Sequence, residues 1–215
     1  MIFENRIAAA RQLAEALSDY AGKHPLVLAI PRGAVPMATV IAKALKGDMD
    51  VVLVRKLRAP GNPEFAIGSV DESGWVYLSD YARQAGADQE YIRKEVVDQL
   101  ETIRQRRDHY TPARPPIDPA GRVVIIIDDG LATGSTMIAA LHAIRNQKPA
   151  ELICAIPVAP PDTLRKLQDK ADRIVCLSSP ENFYAVGQFY MSFPQVTDEE
   201  VIATLAHSAP SSKNQ

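Results

Sequence analysis

Two adjacent carboxylates, Asp128 and Asp129, come shortly before a turn of small and hydroxyl-bearing residues. That turn consists of Ala132, Thr133, Gly134, Ser135 and Thr136. Free backbone amides at such a turn, where a helix begins, bind phosphate with help from the positive end of the helix dipole. The carboxylates could accept hydrogen bonds from the vicinal hydroxyl groups of a ribose. These residue types in this order predict a site for a sugar phosphate.

The segments on either side of the turn support this interpretation. Five β-branched apolar residues at 123–127 are typical of a strand buried on both faces in a parallel sheet. A helical pattern then runs from Ser135 to about Asn146. In open α/β sheets ligands bind outside the carboxyl ends of the strands, where the two carboxylates would lie. The alternative is an ordinary strand–loop–helix in which Ser135 or Thr136 only caps the helix.

A second strand–turn–helix lies earlier in the chain and carries an arginine. Residues 26–30 predict a buried strand, and the turn after it contains Arg32, Gly33 and Ala34. An arginine beside free amides suits a multiply charged phosphate group. Taken alone, this turn could also be an ordinary one with a solvated arginine.

Residues 50–57 predict the next strand, which ends on the basic residues Arg55 and Lys56. Both bases would then face the same ligand-binding edge of the sheet. Residues 58–65 are rich in glycine, proline and asparagine and predict a loop. Residues 66–78 predict a β-hairpin with a glycine-containing turn.

The remaining segments complete an alternating pattern. Helices are predicted at 5–20, 88–109, 161–170 and 198–206, and strands at 152–158 and 174–177. Strands and helices that alternate in this way predict an α/β fold with a doubly wound, mostly parallel sheet. The hairpin and the long helix at 88–109 are insertions in it. We expect a single domain over residues 1–207, followed by a flexible tail at 208–215.

Composition excludes several classes of function. A net charge of −2 and a pI of about 6.1 do not indicate a basic surface that would bind nucleic acid or an anionic membrane. No apolar run approaches the ~20 residues of a membrane span, and no signal-peptide pattern is evident. The four histidines lack ligand or triad spacing, so no metal ligand is predicted. We expect a cytoplasmic protein in which Cys154 and Cys176 are buried free thiols.

The C-terminal part is unusually aromatic. Residues 178–193 hold five of the twelve phenylalanines and tyrosines of the chain, without helical or strand periodicity. Aromatic faces stack on planar heterocycles, so Phe183, Tyr184 and Tyr190 are candidates for contact with a base. The alternative is that these rings fill the core beneath a loop.

The string from Ile127 to Thr136 resembles the phosphoribosyl pyrophosphate (PRPP) motif of type I phosphoribosyltransferases. That motif is an apolar strand, two acids and a short turn containing Thr-Gly, and residues 59–64 and the aromatic segment also resemble a bacterial subgroup of the family. The resemblance implies that Asp128 and Asp129 hold the ribose hydroxyls. It implies too that residues 132–136 bind the 5-phosphate.

Other segments take family roles by the same resemblance. Arg32, Gly33 and Ala34 correspond to the pyrophosphate loop, and Lys56 is the candidate for a diphosphate contact, which leaves Arg55 to pair with an acid. Residues 58–65 correspond to a loop that closes over PRPP. Residues 178–197 correspond to a hood over the acceptor base, and we call them the hood segment.

The resemblance implies transfer of ribose 5-phosphate from PRPP to a nitrogenous base or similar acceptor, with release of pyrophosphate. The expected cofactor is Mg²⁺, bound mainly through PRPP and water. The expected partners are PRPP, the acceptor and a second copy of the chain in a homodimer. The alternative is a PRPP- or nucleotide-sensing regulatory protein without turnover. A dinucleotide-binding module is disfavoured, because no G-x-G-x-x-G follows any predicted strand.

One departure from the family pattern makes a prediction about the acceptor. In transferases of 6-oxopurines, the residue before the Thr-Gly pair is an aspartate that exchanges a proton with the purine, whereas this chain has Ala132. We therefore expect hypoxanthine and guanine to be poor acceptors, and Ala132→Asp not to improve turnover of the best base. Steady-state assays with a panel of bases test this. Efficient turnover of hypoxanthine by the unmodified protein would contradict it.

Overall fold

The computed structural model describes residues 1–111 and 116–208, so the predicted tail lies outside the described residues apart from Ser208. The elements, in chain order, are α1 (Arg6–Ala16), β1 (Leu26–Ala29), α2 (Val35–Leu45), β2 (Asp48–Val51), β3 (Val54–Ala59), β4 (Asn62–Asp71), β5 (Val76–Leu78), α3 (Gln89–Tyr110), β6 (Val123–Ile127), α4 (Ser135–Arg145), β7 (Glu151–Val158), α5 (Pro161–Leu167), β8 (Arg173–Ser178) and α6 (Asp198–His207). Short 3-10 turns occupy Ser18–Tyr20 and Val186–Phe189.

Five strands form a parallel sheet in the order β2–β1–β6–β7–β8. In the centre of this sheet, Leu26 of β1 lies opposite Val124 of β6, and Ala29 lies opposite Ile127. The predicted α/β fold with a mostly parallel sheet is therefore confirmed. Because β1 and β6 are neighbours that run in the same direction, the loops that follow them emerge side by side.

Helices cover both faces of this sheet. On β6, Val124 and Ile126 pack with α4, whereas Ile125 and Ile127 pack with α1 and α2 on the opposite face. All four side chains are fully buried. Successive residues of a strand point to opposite faces, so a strand covered on both sides must be apolar at every position. This requirement accounts for the uninterrupted apolar run before the carboxylate pair.

The predicted single strand at residues 50–57 is wrong. β2 ends at Val51, and β3 begins at Val54 in a separate antiparallel sheet of order β3–β4–β5. Residues 51–54 are buried throughout, so no change in hydrophobic periodicity marks the break. As a consequence, Arg55 and Lys56 lie in the antiparallel sheet and not at the end of a strand of the parallel one.

The predicted loop at residues 58–65 is also wrong, because this segment is the tip of the β3–β4 hairpin. Only the two residues between β3 and β4 form the turn. Helix α3 holds the tip: the Arg58 amide donates to the Glu95 carboxylate, and the Tyr91 hydroxyl donates to the Arg58 carbonyl, both at 3.0 Å. The glycine and proline of this segment thus belong to a tight turn and not to a long loop.

The predicted helices differ from the observed ones mainly at their ends. The helix predicted at 5–20 stops at Ala16, and the one predicted to reach 170 stops at Leu167. Both cysteines are free; Cys154 is buried as expected, but Cys176 is only half-buried because β8 is the edge strand of the sheet. Within residues 1–111 and 116–208, no helix is both long and apolar enough to cross a membrane.

A cavity should reduce the free energy of unfolding most at the central strand, β6. Ile125→Ala removes a fully buried side chain between the sheet and the α1–α2 layer, so we expect a loss of about 2–5 kcal/mol in the free energy of unfolding. Val97→Ala, at a side chain on α3 that is 64% exposed, should change it by less than about 0.5 kcal/mol. Urea unfolding of the two variants measures both values. Equal effects would contradict this account of the core.

Candidate active site

The loops after β1 and β6 meet at the carboxyl edge of the parallel sheet. The Ile30 amide donates to the Ile127 carbonyl at 3.0 Å, which continues the pairing beyond β1. Further on, a Cβ atom added to Gly33 would lie 2.0 Å from Oδ2 of Asp129. Only glycine permits this approach of the two loops. The structure thus brings the arginine-bearing turn and the carboxylate pair to one place.

Asp129 is held by an arginine from the first turn of α1. The Nε atom of Arg6 donates to Oδ2 of Asp129 at 2.8 Å, and the two side chains are only 11% and 15% exposed. The same guanidinium donates from Nη1 to the Pro194 carbonyl at 2.6 Å and lies 3.7 Å from the centre of the Phe193 ring. Arg6 therefore connects the N-terminal helix, the carboxylate pair and the hood segment.

Tyr190 holds the backbone of the same aspartate. Its hydroxyl donates to the backbone carbonyl of Asp129 at 2.6 Å. Its ring packs against Phe3 and Phe193, with centroid distances of 5.5 and 4.8 Å, and the residue is only 7% exposed. This predicted base contact is thus a core residue that fixes the backbone of the carboxylate pair, as in the alternative that the rings fill the core.

The two carboxylates are electrostatically unequal. Burial raises the pKa of Asp128 well above its usual value; the charge of Asp129 raises it further, and the charge of Lys56 opposes the rise. Burial also raises the pKa of Asp129, but the charge of Arg6 and its hydrogen bond act against that rise. The two groups are adjacent, and the Asp129 amide donates to Oδ1 of Asp128 at 2.9 Å. Their protonation is therefore coupled.

The turn at residues 132–136 leads into the first turn of α4. Gly134 occupies the N-cap position with φ of +78°, and no side chain caps the helix there. The Thr133 and Ser135 hydroxyls lie 3.2 Å apart, and the Thr163 hydroxyl donates to the Ala132 carbonyl at 2.5 Å. The alternative in which Ser135 or Thr136 only caps the helix is therefore wrong. Uncapped amides at a helix start are suited to an anion.

Arg32 is held by the C-terminal helix. Its Nη1 atom lies 3.4 Å from Oδ2 of Asp198, the first residue of α6, and both side chains are partly exposed. The Tyr110 hydroxyl, at the end of α3, donates to the other oxygen of Asp198. Burial and this hydrogen bond raise the pKa of Tyr110 to about 12. The Tyr110 bond also lowers the pKa of Asp198, so its carboxylate faces Arg32 in ionised form.

Lys56 lies near enough to Asp128 for its charge to act on that carboxyl, although it belongs to the antiparallel sheet. It is exposed on β3, and its charge lowers the pKa of Asp128. Arg55, which we expected to pair with an acid, instead donates to Oε1 of Gln99 at 3.0 Å, and Gln99 donates to Glu95 at 3.1 Å. Burial is the main cause that lowers the pKa of Arg55.

The antiparallel sheet is hydrogen-bonded directly to the turn at residues 132–136. Ser69 of β4, which pairs with Lys56 of β3, is fully buried. Its hydroxyl donates to the Ser135 carbonyl at 2.7 Å. This bond links the sheet that carries Lys56 to the first residue of α4. The hydrogen bond therefore explains how a lysine outside the parallel sheet comes to lie near its carboxyl edge.

The hood segment lies against the loop that carries the carboxylates. Gly130 in that loop has φ of +152°, and a Cβ atom there would lie 2.6 Å from the Val186 side chain. Phe183 packs on Phe189 with a centroid distance of 5.0 Å, whereas Tyr184 is 91% exposed. Of the three predicted base contacts, Tyr184 is thus the most exposed, whereas Phe183 is half-buried and Tyr190 is buried.

Sequence reasoning missed Arg6, Tyr110, Thr163 and Asp198. Arg6 is 123 residues away from its partner Asp129, and no local pattern connects the two. The only available signal was an arginine on the first turn of an amphipathic helix, which is normally a solvated residue. Among the described residues, no group of three histidine, cysteine, aspartate or glutamate side chains is placed to hold a metal ion.

The fold and this edge define an α/β protein with an uncapped helix start and a carboxylate pair beside an arginine. The sequence model of the phosphoribosyl transferase domain matches residues 1–194. The chain therefore belongs to the phosphoribosyl transferase family.

Similar proteins include relatives from Mycobacterium tuberculosis, strains CDC 1551 / Oshkosh and ATCC 25618 / H37Rv, which carry phosphoribosyl transferase as a provisional name. They are 38% identical over 205 residues, or 95% of this chain, and the chain spans only 46% of their length. A solved structure, TT1426 from Thermus thermophilus, is 44% identical, with a TM-score of 0.81 over 97% of this chain and 100% of that one.

The raised pKa of Asp128 makes a prediction about stability. As the pH rises above about 3.9, this carboxyl loses its proton in the unfolded chain before it does in the folded one, so ionisation favours unfolding. Asp128→Asn removes this cost. We expect it to raise the melting temperature at pH 7 and to lose that advantage near pH 3. Thermal unfolding across pH measures the effect, with exposed Asp80→Asn as the control. A less stable Asp128→Asn at pH 7 would contradict the prediction.

Proposed function

We propose that the chain transfers the ribosyl 5-phosphate group of PRPP to a nitrogenous base and releases pyrophosphate. The observation that carries this proposal is the contact between Gly33 and Asp129. It sets an arginine-bearing turn, a carboxylate pair and an uncapped helix start along one sheet edge. A sugar with a phosphate at one end and a diphosphate at the other needs recognition groups arranged in this way.

The carboxylate pair would act on the ribose. The bond between the anomeric carbon and the pyrophosphate oxygen breaks, its electron pair leaves with pyrophosphate, and positive charge develops on the ring. Asp128 and Asp129 would make hydrogen bonds with the ribose hydroxyls, and the negative charge of the pair would stabilise the developing cation. The lone pair of a base nitrogen then forms the new bond, and that nitrogen releases a proton.

The two ends of PRPP would be held by backbone amides and by basic side chains. Residues 132–136, with no side-chain cap at the start of α4, would bind the 5-phosphate. Arg32, with Gly33 and Ala34, would bind the diphosphate, and Arg32 would exchange its contact with Asp198 for the stronger charge of the ligand. Lys56 would add a second positive charge from β3.

Magnesium fits this arrangement as a companion of the substrate. The described residues offer no three-ligand cluster, and Mg²⁺ commonly keeps several waters and binds through substrate phosphates. It would supply charge neutralisation for the leaving diphosphate. The acceptor base would meet the hood segment, where Tyr184 is the exposed ring. A homodimer stays a prediction, as do the activity and partners of the longer relatives.

Binding is tested first by ligand-induced stabilisation. PRPP with Mg²⁺ at a hundredfold excess over Kd should stabilise the native protein by about 2.7 kcal/mol. Asp129→Asn, which removes the carboxylate that Arg6 contacts, should lose most of this response. Asp169→Asn, at an exposed position that precedes the amino end of β8, should keep it. Calorimetric or fluorescence-detected unfolding with and without ligand measures the difference. An intact response in Asp129→Asn would contradict the role of the pair.

Turnover is tested separately. Pyrophosphate release is measured with PRPP, Mg²⁺ and a panel of bases, and a base that elicits release identifies the acceptor. Binding of PRPP without release for any base would support the alternative of a sensing protein. The absence of both binding and release would overturn the proposal.

A further inference from the structure

The carboxylate pair is built asymmetrically, and the asymmetry comes from α1. Arg6 contacts Asp129 at 2.8 Å, whereas the favourable charge that acts on Asp128 is that of Lys56. The guanidinium of Arg6 is itself fixed on two further sides, by the Pro194 carbonyl and by the Phe193 ring. A cation that is held at three points can neither follow a moving carboxylate nor swing to the neighbouring one.

This geometry matters because two adjacent carboxylates with little access to water do not both ionise readily. Desolvation raises the pKa of both groups, so at least one tends to keep a proton. The positive charge that touches the pair decides which one ionises. Arg6 touches Asp129, whereas Lys56, which acts on Asp128, is an exposed residue whose field is weakened by solvent.

We propose that Arg6 is a positioning residue that assigns the negative charge of the pair to Asp129 and leaves Asp128 as the carboxyl that more readily holds a proton. The inference deepens the proposed function, on which its substrate-binding consequence rests. A fixed carboxylate would then accept from a ribose hydroxyl, while its neighbour can donate as well as accept. The pair would thus recognise a diol through two unlike groups.

The charged and titratable groups around Asp129 are few among the described residues. Arg6 approaches from α1, Asp128 lies beside it in the same loop, and the Tyr190 hydroxyl binds its carbonyl from the hood segment. Burial and the charge of Asp129 raise the pKa of Tyr190, so this hydroxyl stays protonated at neutral pH. Arg6 is therefore the group whose removal should change the titration of the pair.

The first test needs no substrate. The carboxyl carbons of Asp128 and Asp129 are titrated by NMR in the native protein, in Arg6→Gln and in Arg11→Gln. Arg11 is an exposed arginine on the same helix and serves as the matched control. We expect Arg6→Gln to raise the pKa of Asp129 and to narrow its difference from Asp128, and Arg11→Gln to change neither. An unchanged pKa of Asp129 in folded Arg6→Gln would overturn the proposal.

A second variant covers the case in which Arg6→Gln does not fold. Arg6→Lys keeps the charge but cannot make both the Asp129 and the Pro194 contacts with fixed geometry, so we expect a smaller shift in the same direction. Far-UV circular dichroism establishes folding for each variant. No shift in Arg6→Lys, when Arg6→Gln is unfolded, would also overturn the proposal.

The consequence for binding is tested by the pH dependence of PRPP affinity in the presence of Mg²⁺. Between pH 8 and pH 6, Arg6→Gln should lose more affinity than the native protein, because a carboxylate without its cation takes up a proton at a higher pH. If Arg6 had only a structural role, its replacement would weaken PRPP binding equally at both pH values. That result would count against the inference. If the native protein does not bind PRPP, the proposed function fails, while the NMR titration still decides the role of Arg6.

Discussion

The parallel pairing of β1 with β6 is the constraint on which the rest of the site depends. Neighbouring strands that run in the same direction end at the same edge, so the loops after them must share one small volume. The loops come so close that Gly33 has no room for a side chain beside Asp129. The arginine-bearing turn and the carboxylate pair are brought together by this contact, and the other groups of the site approach these two loops from separate elements.

Burying two carboxylates at that edge carries a large electrostatic cost, and several distant parts of the chain offset it. Arg6 from the N-terminal helix and Lys56 from the antiparallel sheet supply positive charge, and Tyr190 from the hood segment holds the Asp129 backbone. A pair of buried like charges without such partners would be strongly destabilising. The elements outside the parallel sheet thus stabilise the buried carboxylates of the site in addition to covering the core.

The inserted antiparallel sheet has a structural role that its hairpin pattern alone did not indicate. Ser69 bonds to the carbonyl of Ser135, so β4 is tied to the first turn of α4. The hairpin tip is tied in turn to α3, which ends at Tyr110 and reaches Arg32 through Asp198. Lys56 and Arg32, which belong to separate elements, are therefore connected around the same edge of the sheet through these hydrogen bonds and helix α3.

Local chemistry determined much of this protein from the sequence alone. The apolar run at 123–127 predicted a strand covered on both faces, because such a strand can carry no polar residue. The acids and small residues after it predicted a carboxylate pair, a turn and a helix start at one sheet edge, because these segments are contiguous in the chain. The alternation of strands and helices also predicted the fold class, because each of these elements is a contiguous segment of the chain.

Only the tertiary structure decided the groups that act across long distances. The break between β2 and β3 was invisible because residues on both sides of it are equally buried. Arg6 meets Asp129 across 123 residues, and Tyr190 is drawn into the core by neighbours from both ends of the chain. Residue types and their spacing indicate which local structure a segment can form by itself. Which charge lies beside which carboxylate depends on how the segments pack, and packing is a property of the whole chain.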